Sequence, residues 1–176
     1  MPTELAIAAF DPLAWVNEYT QPAIPINDEV FGPILHFSLM WNLFERDSCG
    51  REATPLSIEK AVQTAFAEGK LTLEPFQEHL QYFRDRSQRN GMSIEQYLNA
   101  LKMKSQNARY LVGGVLSGAL TDPNNAIHAL LLIAHRIRNN LFHGEKDVAM
   151  LHTQSHLFRA VNSLLATYLH TTKGAT

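Results

Sequence analysis

The chain has 176 residues, of which 45% are hydrophobic and 9% aromatic, enough apolar material for the core of one ordinary domain and too much for a wholly disordered chain. Charged residues reach only 18%, below the ~25% of a typical domain, which leaves room for an apolar surface that associates with another chain. Lys and Arg number 15 against 17 Asp and Glu, net −2; no global positive field holds duplex DNA, while a local basic site for RNA is allowed.

The apolar period is helical nearly everywhere, and no run alternates convincingly as a strand. Asp11-Pro12 reads as a cap followed by a first-turn proline, opening a short helix to about residue 18. Pro22 and Pro25 make the next stretch a loop. Over 31–46, Ile34, Phe37, Trp41 and Phe44 share one helical face, and Leu35, Leu39 and Leu43 a second. A helix apolar on two sides belongs at the centre of a bundle or at a subunit interface. Ser57 is expected to cap a helix carrying Ile58, Val62 and Phe66, which Gly69 ends. A helix over 74–89 gathers Phe76, Leu80 and Phe83. Ser93 and Gln96 then form a capping-box pair ahead of Ile94, Tyr97, Leu98 and Leu101.

Residues 107–120 are harder to read, because Gly113, Gly114 and Gly118 each weaken a helix by about 1 kcal/mol relative to Ala. Gly114 and Gly118, four apart, suggest a close approach by another helix. A phosphate-binding P-loop is excluded, since no Lys-Ser/Thr follows and no strand precedes. Asn125 is expected to cap a very apolar helix from Ala126 to about His143, closed by Gly144. The last helix, about 148–171, repeats Leu151, Phe158 and Leu165 every seven residues with Val161 and Tyr168 between, a bundle seam. The fold class is therefore all-α. A short N-terminal helix and Pro-containing loop (1–30) precede a helical domain (31–171) and a tail (172–176).

The single cysteine, Cys49, cannot form an intrachain disulfide or a cysteine-based zinc site and is expected as a reduced loop thiol. Glu4 stands where a secretory signal needs Lys or Arg, and the apolar runs are too short to span a bilayer. The expectation is a cytoplasmic protein without a membrane segment. His152 and His156, four apart, have the spacing of a metal pair but no supporting Cys or Glu-x-x-His context, so no metal or other cofactor is expected.

The chemistry-bearing segment is 135–146, His-Arg-Ile-Arg-Asn-Asn-Leu-Phe-His-Gly-Glu-Lys. Its helix has an apolar face of Ile127, Leu130, Leu131, Ala134, Ile137 and Leu141. Arg138 falls beside that face, where a guanidinium needs a partner or an anion. Glu45 and Asp47 are candidate partners. His143 follows at the helix end. Arg matches phosphate oxygens with a permanent charge, and His moves a proton near neutral pH. RNA carries its own nucleophile in the 2′-OH, so this pair suits metal-free strand cleavage. One chain offers one well-placed His; a two-fold dimer brings two. His128 and His135, close in angle to Arg138, extend a possible RNA surface. Arg84, Arg86 and Arg89 read as a solvated helix end that, with Lys102 and Lys104, forms a possible phosphate-tracking patch.

The stretch Arg138-Asn139-x-x-x-His143 resembles the RNxxxH form of the RX4–6H motif of the HEPN superfamily, all-α ribonucleases of toxin–antitoxin, phage-defence and CRISPR systems. The helix around Phe37-Ser38-Leu39-Met40-Trp41-Asn42-Leu43-Phe44-Glu45 is similar to the first core helix of many members. The resemblance covers about 31–171 and is strong at the motif, weak between Arg51 and Leu120. It implies a HEPN-like bundle with a long C-terminal helix, dimerising so that both motifs meet in one cleft. The implied activity is metal-independent endoribonucleolytic cleavage, leaving a 2′,3′-cyclic phosphate and a 5′-OH. Arg138 would stabilise the scissile phosphate, His143 would be the acid/base, and Asn139 would orient the phosphate or the partner motif. His135, Arg136 and Lys146 would bind RNA. An antitoxin or regulatory protein is an implied partner. Many HEPN domains keep only the fold, so a catalytically inactive interaction or nucleotide-binding module is the alternative. Glu145 occupies the position at which many such toxins carry a Tyr that is modified by adenylylation.

Overall fold

Apolar spacing of three and four residues is realised as helix throughout the residues described by a computed structural model, 10–142 and 153–173. No strand occurs among them. The first helix, α1 (Pro12–Thr20), starts where Asp11 accepts from the Leu13 and Ala14 N–H groups at 2.9 and 3.0 Å. It buries no side chain. Asn17 ties it to the following loop, donating to the Ile26 carbonyl and accepting from the Ile26 N–H, both at 2.7 Å.

α2 (Asp28–Ser48) begins three residues earlier than its apolar pattern suggests, because the Asn27 side chain caps it on the Val30 N–H. Pro33 lies inside this helix. Its missing N–H leaves the Glu29 carbonyl without its usual donor. Arg159 of the last helix reaches that carbonyl at 3.5 Å, and Asn162 donates to the Pro33 carbonyl at 2.8 Å. Ile34, Phe37, Trp41 and Phe44 are buried as their spacing requires. Leu35 and Leu39 of the second face are exposed, so α2 lies on the outside of the bundle.

α3 (Pro55–Ala67) corrects one expected cap. Thr54 caps the helix, and Ser57 is its third residue, returning a bond to the Thr54 N–H at 2.8 Å. Gly69 ends it in the left-handed conformation. A 3-10 turn (Glu74–Phe76) leads into α4 (Gln77–Ser87), and the Ser93–Gln96 capping box opens α5 (Ile94–Ala100).

α6 (Gln106–Ser117) accommodates the glycines for a different reason from the one expected. A Cβ at Gly114 would lie 2.7 Å from Leu120, whose side chain folds back over the helix. The close neighbour is thus this chain's own loop, not another helix. Gly118, at φ 81°, closes the helix.

α7 (Pro123–Phe142) is capped by Asp122, not by Asn125: the Asp122 carboxylate accepts from the Asn125 N–H at 3.1 Å. It is the centre of the bundle. Ile127, Ala129, Leu130, Leu131, Ile133 and Ala134 have no exposed surface, and α3, α4, α6 and α8 (Ser155–Lys173) surround it. On α8 the seam residues Phe158, Val161, Leu165 and Tyr168 are buried; Leu151 lies outside the described residues. α8 packs most extensively on α2. Phe158 meets Phe37 and Tyr168 meets Phe44, each with ring centroids 5.5 Å apart. Register therefore rises together in both helices, which run parallel. Among the described residues no helix is long and apolar enough to cross a membrane.

Candidate active site

Steps of about 100° per residue divide the polar end of α7 into two faces. His135, Arg138 and Asn139 are three and four apart and share one face; Arg136 and Asn140, four apart, share another.

The first face meets the C-terminal half of α2. The His135 ring lies 6.0 Å from the Trp41 ring. Glu45, one turn beyond Trp41, accepts from the Ala53 N–H at 3.4 Å and adds a negative charge near the imidazole. Arg138 Nη1 donates to Asn139 Oδ1 at 3.2 Å. That interaction fixes the amide, so Asn139 Nδ2 is the group facing His135 Nε2 at 3.4 Å. An amide nitrogen only donates. His135 Nε2 is therefore the acceptor and its proton sits on Nδ1. A backbone hydrogen bond with Ala53 holds the ring as well.

Burial pushes the His135 pKa down to about 4, aided by the Arg136 and Arg138 charges and opposed by the Ala53 bond and Glu45. The imidazole is neutral at pH 7. It contributes an oriented lone pair to the Arg138–Asn139 pair and no positive charge toward a phosphate. Arg138 and Asn139 are half-buried.

Arg136 serves a different part of the fold. α5 ends with Lys102 N–H bonded to the Asn99 carbonyl at 2.9 Å and Met103 N–H to the Leu98 carbonyl at 3.1 Å, the pairing of a Schellman motif. That pattern leaves the Leu101 carbonyl over. Arg136 Nε donates to it at 3.0 Å and Asn140 Nδ2 at 3.3 Å, while Arg136 Nη2 reaches Asn140 Oδ1 at 3.4 Å. Burial lowers the Arg136 pKa. His135 and Arg136, expected to share one RNA surface, thus point to different sides of α7.

Of the two candidate partners of Arg138, Asp47 bonds to its own neighbour. Asp47 is held by Arg46 at 2.6 and 3.0 Å on the surface, which keeps its carboxyl below the usual range. His143, Gly144, Glu145, Lys146 and His152 lie outside the described residues, so the spacing of His143 from Arg138 rests on the sequence. His128 is half-buried, and burial lowers its pKa. Among the described residues no three His, Cys, Asp or Glu groups gather as a metal site. Cys49 is a buried residue at the end of α2, where burial raises its pKa to about 11; the expected loop thiol is sequestered.

Trp41 and the Ala53 backbone are site elements that the motif alone does not indicate. The available signal was the spacing of Trp41 and Glu45, four apart on the face that α2 turns toward α7. Comparison with protein-family models, with curated protein sequences and with solved structures finds no match for this chain.

Proposed function

We propose that the chain is a metal-independent endoribonuclease of HEPN type, acting as a homodimer in toxin–antitoxin, phage-defence or stress systems of the cytoplasm. The observation that supports this most is the Arg138–Asn139–His135 arrangement at the polar end of a rigid central helix. It pre-sets a guanidinium five residues, and an amide four residues, ahead of His143 in the sequence. A pre-set cation is what a transition state with developing charge on phosphate oxygens needs, because no reorganisation is required at the moment of reaction.

In this reading the RNA 2′-oxygen attacks the adjacent phosphorus, and its proton passes to one His143 acting as base. The P–O5′ bond breaks, and the leaving 5′-oxygen takes a proton from the second His143 across the two-fold axis. The products are a 2′,3′-cyclic phosphate and a 5′-OH. Arg138 stabilises the phosphoryl oxygens, and Asn139 holds the guanidinium in register. His135, uncharged, orients Asn139. The test is cleavage by Arg138→Ala beside wild type. Loss of about 100-fold or more in rate is expected, and unchanged cleavage contradicts the assignment.

One observation favours a second reading, a catalytically inactive HEPN-like interaction module. Leu35 and Leu39 on α2 and the stacked Trp15–Tyr19 pair on α1 are exposed. A stable dimer that neither binds nor cuts RNA would favour it.

A further inference from the structure

On the side of α7 away from His135, a groove of about 970 Å³ lies between α5, α6 and α7. Among the described residues Lys102, Lys104, Arg109 and Arg136 line it, against one carboxylate, Glu95. Among the described residues the lining thus carries four cations and one anion, in a chain whose net charge is −2. The carboxylate is engaged: Arg109 pairs with Glu95 and also donates to Asn99 Oδ1 and the Met103 carbonyl. The helix ends reinforce the sign. α6 starts in the groove at Gln106, so its positive end faces the same space. The negative end of α5 is masked there, because Arg136 and Asn140 cover the Leu101 carbonyl.

Two features of this groove go beyond what packing asks for. Tyr110 projects from α6 with 74% of its surface exposed, at the groove wall. Lys102 adopts φ 52°, the left-handed conformation that glycine normally supplies after a helix. Glycine would close α5 at lower cost; a lysine there adds a cation to the groove. An exposed aromatic ring among cations is the arrangement that holds a nucleic-acid strand with unstacked bases, the cations tracking phosphates and the ring stacking a base.

We infer that this groove binds single-stranded RNA, with a base stacked on Tyr110 and a phosphate on Lys104. The inference rests on the ribonuclease reading for the choice of RNA and adds to it where the strand lies and that it is unpaired. Duplex RNA is excluded from the groove because its bases are stacked on each other and cannot reach the ring.

The experiment is fluorescence anisotropy of a short, labelled, unstructured RNA carrying 2′-O-methyl groups throughout, titrated with the full chain. The methyl group blocks the 2′-oxygen, so binding is read without cleavage. Tyr110→Ala, at an exposed position, should weaken binding about 5-fold or more, the equivalent of ~1 kcal/mol for a lost base stack. Lys104→Ala should weaken it and flatten the salt dependence, by about 0.7 in the log–log slope for one phosphate contact. Circular dichroism confirms that both variants stay folded. Wild-type affinity in both variants overturns the inference, as does equal binding of the same sequence as a duplex or no binding by wild type. Tyr110-dependent binding by a chain that cuts no RNA would sustain the groove and remove the ribonuclease reading, so the two fail separately.

Discussion

Replacing His135 by Gln tests the arrangement around Arg138 through stability. Gln keeps an acceptor for Asn139 and a donor for the Ala53 backbone but does not titrate. In the folded chain the His135 pKa is about 4; in the unfolded chain it returns to about 6.5. Between those values the unfolded chain binds a proton that the folded chain refuses. Stability therefore falls as pH drops from about 6.5 to about 4, and is fully present above that window. A gap of about 2.5 pH units at 1.36 kcal/mol each gives about 3 kcal/mol. Carboxylates contribute their own acid sensitivity, but both proteins share it, so the difference between them isolates His135. Urea unfolding followed by circular dichroism, from about pH 7 to about pH 4, should show wild type losing ~3 kcal/mol more than His135→Gln. Superimposable pH dependences would refute the buried, neutral imidazole and the proton placement derived from it.

Gly114→Ala should destabilise by about 1–3 kcal/mol through overpacking against Leu120. In a Leu120→Ala background the same change should become neutral or stabilising, and equal effects in both backgrounds would remove the steric explanation. Arg136→Met should cost about 1 kcal/mol in urea unfolding by withdrawing a donor from the Leu101 carbonyl; a variant as stable as wild type would show that Asn140 suffices. Cys49, buried with a pKa raised to about 11, should react with a disulfide reagent only as fast as the chain unfolds. Rapid labelling of the native protein would contradict its burial.

Helix content could be read in advance because local signals dominate it. The Ser93–Gln96 box, Gly69 and the seam of α8 from Phe158 onward act within a few residues of themselves, and each appears where its pattern places it. Caps depart from the simplest local pattern where two candidates compete. Thr54 and Ser57 both carry hydroxyls, and the reciprocal bond between them makes the earlier one the cap. Asp122 displaces Asn125 in the same way, by accepting from its N–H. Long-range polar bonds carry no local signature at all. Arg84, which reads as a solvated residue, donates to the Val115 carbonyl at the end of α6. Arg136 caps α5 from 35 positions away. At the candidate site the grouping of His135, Arg138 and Asn139 follows from helical spacing, whereas the neutral state of His135 depends on burial and on the Arg136 and Arg138 charges.

Incubating the purified protein with RNA in EDTA and mapping the product ends, with His143→Ala beside it, tests the ribonuclease reading most directly. Cleavage that persists in EDTA, leaves 2′,3′-cyclic phosphate and 5′-OH ends and disappears in the variant is the predicted result. Cleavage abolished by EDTA, or retained by His143→Ala, would contradict it.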